Sequence, residues 1–477
     1  MVGSLAWNTH RLLELFYAAP GIGAVLHTAN PRLSVEQIAY CINQAGYRHL
    51  FVDPESLELA EQVAPLLSTV TEFVILADRD AMPATRLAGT ICYEDLIDAG
   101  DAGFAWPVFD ERTASTLCFT SGTTGNPKGV LYSHRGTLLS ALATSGGNAW
   151  AVSQYDSILA IAPFFHCNGW AMPFFAPMVG AKLVLPGRAM DNPHLHRLII
   201  EEAVTASAAV PTILLGLVEH CRATGQTMGR LDRVICGGSP PPPALVAALR
   251  SEFGVRLIHA WGMTETTHGG SFSPTPADAT VEQVVAAARH QGWEVYGNAL
   301  RVVDEDGKEL PPDGTSPGHL QARGHWVAAR YFRDAAPAPT NADGWMETGD
   351  VAIFSPDRSF RITDRAKDVI KSGGEWISSI EIEHALIGLP GLRDAAVIGV
   401  AHQRWMERPL LLVVPSDDGA LTEDDVRRRL AASIPKWWLP DEILFVDALP
   451  RTPTGKLRKD VLRREYRDRF QPPAAGG

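Results

Sequence analysis

The chain has 477 residues, 46% of them hydrophobic and 20% charged, which is the composition of a folded protein with several lobes rather than one core. Its 42 Lys and Arg against 54 Asp and Glu leave a net charge of −12, which argues against bulk nucleic-acid binding. No run reaches the roughly 18 uninterrupted apolar residues of a membrane span, no basic-then-apolar leader opens the chain, and the six cysteines show no pair at two-residue spacing; a reduced, cytoplasmic protein without a transmembrane segment is expected.

From Val2 to about Ala260, apolar runs at residues 2–7, 49–53, 73–77, 157–162, 182–185 and 233–236 alternate with helical periodicity, the first helix starting near Arg11. This βαβα rhythm predicts an α/β fold of doubly wound, largely parallel sheets. Ser34 followed by Gln37 has capping-box spacing, and the prolines at 240–243 suit the first turn of another helix. Beyond residue 295 the segments become β-rich, with turn signals at Asp306-Gly307, Asp313-Gly314 and Asp343-Gly344, and predict a small β-barrel-like region. A charged, glycine-containing stretch at 364–374 then precedes a small α+β region that closes with a basic run at 451–469. A domain boundary is expected at Thr363 to Arg365, giving a large N-terminal domain (1–363) and a small C-terminal one (364–477).

The strongest local signal is Thr120-Ser121-Gly122-Thr123-Thr124-Gly125-Asn126-Pro127-Lys128-Gly129, after the apolar run 115–119 and before a helix expected near Ser133. Glycines let backbone N–H groups approach an anion, hydroxyls add donors, and Lys128 adds charge, so the segment reads as a phosphate cradle. It is not the common NTPase loop, because the Gly-Lys pairs at 307 and 455 are followed by Glu and Leu rather than Ser or Thr.

This loop resembles the signature of the adenylate-forming superfamily of acyl-CoA synthetases, luciferases and nonribosomal adenylation domains. Segments at 162–166, Gly237-Gly238-Ser239, Trp261-Gly262-Met263-Thr264-Glu265, 344–350, Asp364-Arg365, Lys371-Ser372-Gly373-Gly374-Glu375 and Pro453-Thr454-Gly455-Lys456 match in the same order, so the likeness covers nearly the whole chain. The resemblance implies ATP, Mg2+ and coenzyme A. It makes Glu265 the magnesium-associated acid with Thr120, and Thr264 a donor to the same phosphates. It places Trp261 and Gly262 by the adenine with Gly238 and Ser239 opposite, Asp350 on the ribose hydroxyls, and Arg365 on the nucleotide. It puts His166 beside the acyl carboxylate, although the residue reads equally as a core histidine. It makes Lys456 the cation that meets the charge building at the α-phosphate.

Two half-reactions need different groups at one place, and the family meets this by rotating its C-terminal domain. The matching hinge is Asp364, with Gly373, Gly374 and Glu375 entering the site in the second state. Arg358, Lys367 and the C-terminal basic run all qualify for the CoA phosphates. The apolar segments 209–217 and 171–179 point to a fatty or other apolar acid, closest to bacterial medium- and long-chain fatty acid–CoA ligases; Leu214 stands where some long-chain relatives carry a tryptophan. A ligase for a short substituted acid such as 3-(methylthio)propanoate, or a truncated binder of nucleotide or acid without turnover, are the alternatives. Relatives carry a further segment before Val2, so an N-terminal truncation is expected. The sequence does not choose between a monomer and a homodimer.

Overall fold

Val2–Leu5 is an inner strand of a seven-stranded sheet. Across that sheet the order is Thr90–Cys92, Glu72–Ile75, His49–Val52, Val2–Leu5, Leu26–Thr28, Ala114–Phe119 and Gly129–Ser133, all parallel except the last pair. A second seven-stranded sheet runs Trp293–Glu294, Ser271–Ser273, Arg256–Trp261, Arg233–Cys236, Ala206–Ala209, Ser157–Leu159 and Lys182–Val184, parallel from its third strand on. This computed structural model describes residues 1–120, 126–334, 338–373, 375–416, 421–451 and 457–470.

The inner strands read as continuous apolar runs because helices cover both faces of a parallel sheet. Helix Val35–Ala45 starts on the expected capping box, with Ser34 and Gln37 each satisfying the other's backbone N–H, and ends on Gly46 in the left-handed conformation. Helix Pro243–Phe253 begins at the last of the four prolines. Phe16, Trp150, Phe164 and Phe175 are almost fully buried in one apolar cluster with residues of both sheets, such as Leu26, Ile158 and Ile235.

One polar group in this core is held by full compensation. Arg233, on a central strand, gives its guanidinium to Asp156 at 2.9 Å and to the carbonyls of Trp150 and Ala151 at 2.7 and 3.0 Å. Burial pushes the Asp156 carboxyl up. The Thr205 hydroxyl, the Arg233 charge and the Ser153 N–H together outweigh burial and hold it below its ordinary value.

The chain divides into two compact units, Met1–Leu300 with Gln321–Glu347, and Arg301–Leu320 with Thr348–Gly477. The expected boundary at Thr363 to Arg365 falls inside the second. Where a barrel-like region was expected, the strands Asn298–Val303, Gly318–Gly324, Met346–Phe354 and Phe360–Arg365 form a four-stranded sheet, most of it in the second unit. The second unit also carries a five-stranded sheet built on the long hairpin Leu392–His402 and Met406–Pro415. Alternation decides its two faces. Val397, Leu411 and Val413 pack under helices Ser379–Ala385 and Glu423–Ala431, whereas Ala396, Ile398, Leu410 and Leu412 meet Leu462 of helix Lys459–Glu465. Among the described residues no helix is long and apolar enough to cross a membrane.

Candidate functional site

Two tyrosines organise the centre of the first unit. The turn Thr264–Thr266 follows strand Arg256–Trp261 and buries Glu265, which is only 7% exposed. The Tyr132 hydroxyl donates to the Thr264 carbonyl at 2.7 Å, and the Ala328 N–H donates to the Glu265 carbonyl at 2.8 Å. The Glu265 carboxylate accepts from the Tyr331 hydroxyl at 2.7 Å. The Lys128 ammonium stands 4.9 Å from the centre of the same Tyr331 ring. Tyr331 therefore touches both the acid and the lysine that the sequence singled out. Nothing in the spacing of residues 325–334 marked it; the signal is this pairing, which exists only in the fold.

The expected phosphate cradle links strands Ala114–Phe119 and Gly129–Ser133. The sequence reading ran straight from loop to helix and missed the second strand; the helix then starts at His134, capped by the Ser133 hydroxyl on the Gly136 N–H at 3.0 Å. The loop's two ends are tied together, Thr120 N–H to the Lys128 carbonyl at 2.9 Å and Lys128 N–H to the Thr120 hydroxyl at 3.1 Å. Ser121, Gly122, Thr123, Thr124 and Gly125 lie outside the described residues.

His166 is half-buried at the start of an unusual segment. The next five residues, Cys167, Asn168, Gly169, Trp170 and Ala171, all have positive φ, from 38° to 67°. Only glycine adopts this region freely, so four of the five are strained. Asn168 anchors the turn, accepting from the Thr116 hydroxyl at 2.8 Å and donating to the Thr28 hydroxyl at 3.2 Å. Cys167 puts its sulfur 3.5 Å from the Thr264 hydroxyl and 3.9 Å from the His166 ring nitrogen. The aromatic ring nearest Gly237 is Trp170; a methyl group on Gly237 would lie 2.8 Å from it. Gly238 and Ser239 are exposed, as is Gly262, while Trp261 is buried with its ring against Gly270.

The remaining candidates lie in the second unit. Asp350 and Arg365 face each other across strands Met346–Phe354 and Phe360–Arg365 and form an ion pair at 3.0 Å, the acid 3% and the arginine 51% exposed. The neighbouring Asp364 is fully buried, and its carboxylate accepts from the Arg365 N–H at 2.7 Å and the Ser379 N–H at 2.5 Å. Burial raises its pKa, and the Lys459 charge opposes that shift. Lys459 itself reaches Glu383 at 2.7 Å and the Ser379 hydroxyl at 2.6 Å. Gly373 has a φ of 61° and sits where a methyl group would press on Trp405 and Trp437, whereas Glu375 is exposed. Gly374 and Lys456 lie outside the described residues.

Among the described residues no three His, Cys, Asp or Glu side chains cluster to cage a metal. A cation carried in on nucleotide phosphates needs only one or two carboxylates, and Glu265 fits that requirement.

The chain is 44% identical, over 98% of its length, to a medium-chain-fatty-acid–CoA ligase of Ectopseudomonas oleovorans and to a 3-methylmercaptopropionyl-CoA ligase of Ruegeria pomeroyi, covering 86% and 87% of those proteins. A long-chain-fatty-acid–CoA ligase of Thermus thermophilus is 38% identical over 98% of this chain and 86% of its own. The expectation of a missing leading segment gains no support from these matches. The fold matches that of the anthranilate CoA ligase AuaEII in complex with anthranoyl-AMP, with a TM-score of 0.83 at 24% identity over 97% of this chain and 87% of that one. ATP-bound MatB from Rhodopseudomonas palustris matches with a TM-score of 0.81 at 25% identity, over 98% of this chain and 89% of that one. The family model for AMP-binding enzymes matches residues 1–332, and the model for their C-terminal domain matches residues 381–456. With one model covering both seven-stranded sheets and the Glu265 turn, and the other about half of the second unit, the chain belongs to the family of AMP-binding enzymes.

Proposed function

We propose that this protein is an AMP-forming acid–thiol ligase that joins an apolar carboxylic acid to coenzyme A at the expense of ATP. The observation that carries this reading is the 44% identity to two CoA ligases along 98% of the chain. In the first step an acid carboxylate oxygen attacks the α-phosphorus, and the bond to pyrophosphate breaks. In the second, the CoA thiol attacks the acyl carbonyl and AMP leaves with the bonding pair.

The residues take the following parts. The loop from Thr120 to Lys128 binds phosphates, Asp350 accepts from the ribose hydroxyls, and Arg365, paired with that acid, contacts the nucleotide. Trp261, Gly262, Gly238 and Ser239 line the adenine, His166 orients the acid, and Thr264 donates to the phosphates. Lys456 offsets the charge that builds in adenylation. Magnesium entering with the nucleotide would be held by Glu265 and Thr120 and would supply positive charge to the phosphate oxygens. Residues 364–477 form the mobile domain with its hinge at Asp364, and Gly373, Gly374 and Glu375 serve the thioester step. We place the enzyme in the cytoplasm, acting as a monomer or homodimer.

The acid is apolar. Neither 171–179 nor 209–217 offers a carboxylate for a substrate ammonium group. The 3-methylmercaptopropionyl-CoA ligase relative favours a short sulfur-containing acid as the second reading. Mass-spectrometric detection of acyl-CoA from a panel of straight-chain acids and 3-(methylthio)propanoate tests both. Thioester and AMP should form with at least one member, and their absence across the panel would overturn the ligase reading.

Asp350→Ala removes a charged acceptor and leaves Arg365 without its partner. A charge-assisted hydrogen bond contributes about 1.5–3 kcal/mol, so ATP affinity in equilibrium dialysis should fall roughly tenfold to a hundredfold. Unchanged affinity would remove Asp350 from the nucleotide site.

A further inference from the structure

We propose that Tyr331 is a positioning residue for the nucleotide's metal and phosphates. Its hydroxyl fixes the Glu265 carboxylate, while its ring holds Lys128 aside until phosphate arrives. This rests on the ligase reading above, in which Glu265 serves the cation and Lys128 the phosphates.

The two functions use different parts of one side chain. The hydroxyl donates to Glu265 Oε1 at 2.7 Å, which fixes one carboxylate oxygen and so orients the other. The neighbouring backbone is fixed as well, by the Ala328 N–H on the Glu265 carbonyl and the Tyr132 hydroxyl on the Thr264 carbonyl. The carboxylate torsions are thus what Tyr331 adds to an already rigid turn. Lys128 is exposed, and the electron-rich ring face 4.9 Å away gives its ammonium a weak resting place. Such a contact is worth only about 0.5–1 kcal/mol at an exposed site, little enough for a polyphosphate to displace it. Tyr331 itself is only half-buried, packed beside Val130 and Tyr132, so its ring is kept in place without a deep core around it.

A tyrosine that merely filled space would have its hydroxyl effect wherever packing changed. The hydroxyl of a positioning tyrosine acts only through Glu265. Partners that orient a metal-binding carboxylate typically carry about 10–100-fold in metal affinity. The test uses Mn2+ as probe, its free concentration read by paramagnetic resonance in the presence of α,β-methylene-ATP, with wild type, Tyr331→Phe, Tyr331→Leu, Glu265→Gln and the Tyr331→Phe/Glu265→Gln double variant.

Tyr331→Phe should weaken Mn2+ binding by tenfold or more and leave metal-free nucleotide affinity within twofold. Tyr331→Leu should also alter metal-free nucleotide affinity, because Lys128 loses the ring. Tyr331→Phe should add nothing in the Glu265→Gln background. Mn2+ affinity within twofold of wild type in folded Tyr331→Phe, or an equal loss in both backgrounds, overturns the proposal. If Glu265→Gln binds Mn2+ as wild type does, the assignment of Glu265 fails and the role of Tyr331 fails with it; if Glu265→Gln loses Mn2+ while Tyr331→Phe keeps it, only the role of Tyr331 fails. Should either Tyr331 variant fail to fold, the other decides, since loss of the hydroxyl is common to both.

Discussion

Replacing Lys456 with alanine is expected to lower the rate of acyl-adenylate formation by about 10²–10³-fold or more, the cost of removing one preorganised electrostatic group from a transition state. Adenylation brings two anions together, a carboxylate and a phosphate ester, and on the proposed reading Lys456 is needed only while that charge develops. Thioester formation from a supplied acyl-adenylate has no such requirement and should stay within a few-fold of wild type. Acid-dependent exchange of labelled pyrophosphate into ATP measures the first step, and CoA consumption with synthetic adenylate the second. Pyrophosphate exchange at an undiminished rate would take Lys456 out of the reaction, and equal loss in both steps would make it a binding residue.

Arg233→Met should give the largest loss of stability. The guanidinium is 7% exposed, and its removal leaves the 11% exposed Asp156 carboxylate without its cation and two peptide carbonyls without the guanidinium donor. Breaking a buried pair by deleting one member costs about 3–5 kcal/mol, because the remaining charge stays desolvated. The pH dependence has a definite sign. In the wild type the Asp156 pKa is depressed on folding, so its stabilisation is present above the unfolded value near 3.9 and is lost as pH falls through the lower folded value. In the variant the carboxyl keeps the Thr205 hydroxyl and the Ser153 N–H but loses the Arg233 charge, so its folded pKa rises above the wild-type one and the defect should be greatest at neutral pH and shrink as the carboxyl takes up a proton in acid. Urea titrations at pH 7.5 and 3.5 read this, and an equal shift at both would mean that Asp156 is not the group responsible.

The elements that sequence resolved best are those in which one local pattern decides. Arg233–Cys236 matches its apolar run because a strand covered on both faces needs no polar side, and the Ser34 box is complete within four residues. Gly129–Ser133 was missed because its pairing partner lies across the cradle, and a short strand antiparallel to Ala114–Phe119 leaves no period of its own. The strands at 298–365 were seen, but not how they close, since closure depends on register rather than on alternation. In the site, glycines and a charged end marked the phosphate loop. Tyr331 and Asn168 had no such mark, because each acts on a residue more than fifty positions away.

The left-handed segment after His166 has a consequence for anyone seeking a hardier enzyme. Left-handed backbone costs an ordinary residue about 1–2 kcal/mol, so Cys167, Trp170 and Ala171 together withhold several kcal/mol from the folded state. Glycine at 167 or 171 would recover part of that, offset by its greater freedom in the unfolded chain. The gain comes at the rigidity of the turn that follows His166. If His166 orients the acid as proposed, variants chosen for heat resistance alone should drift toward broader acid acceptance.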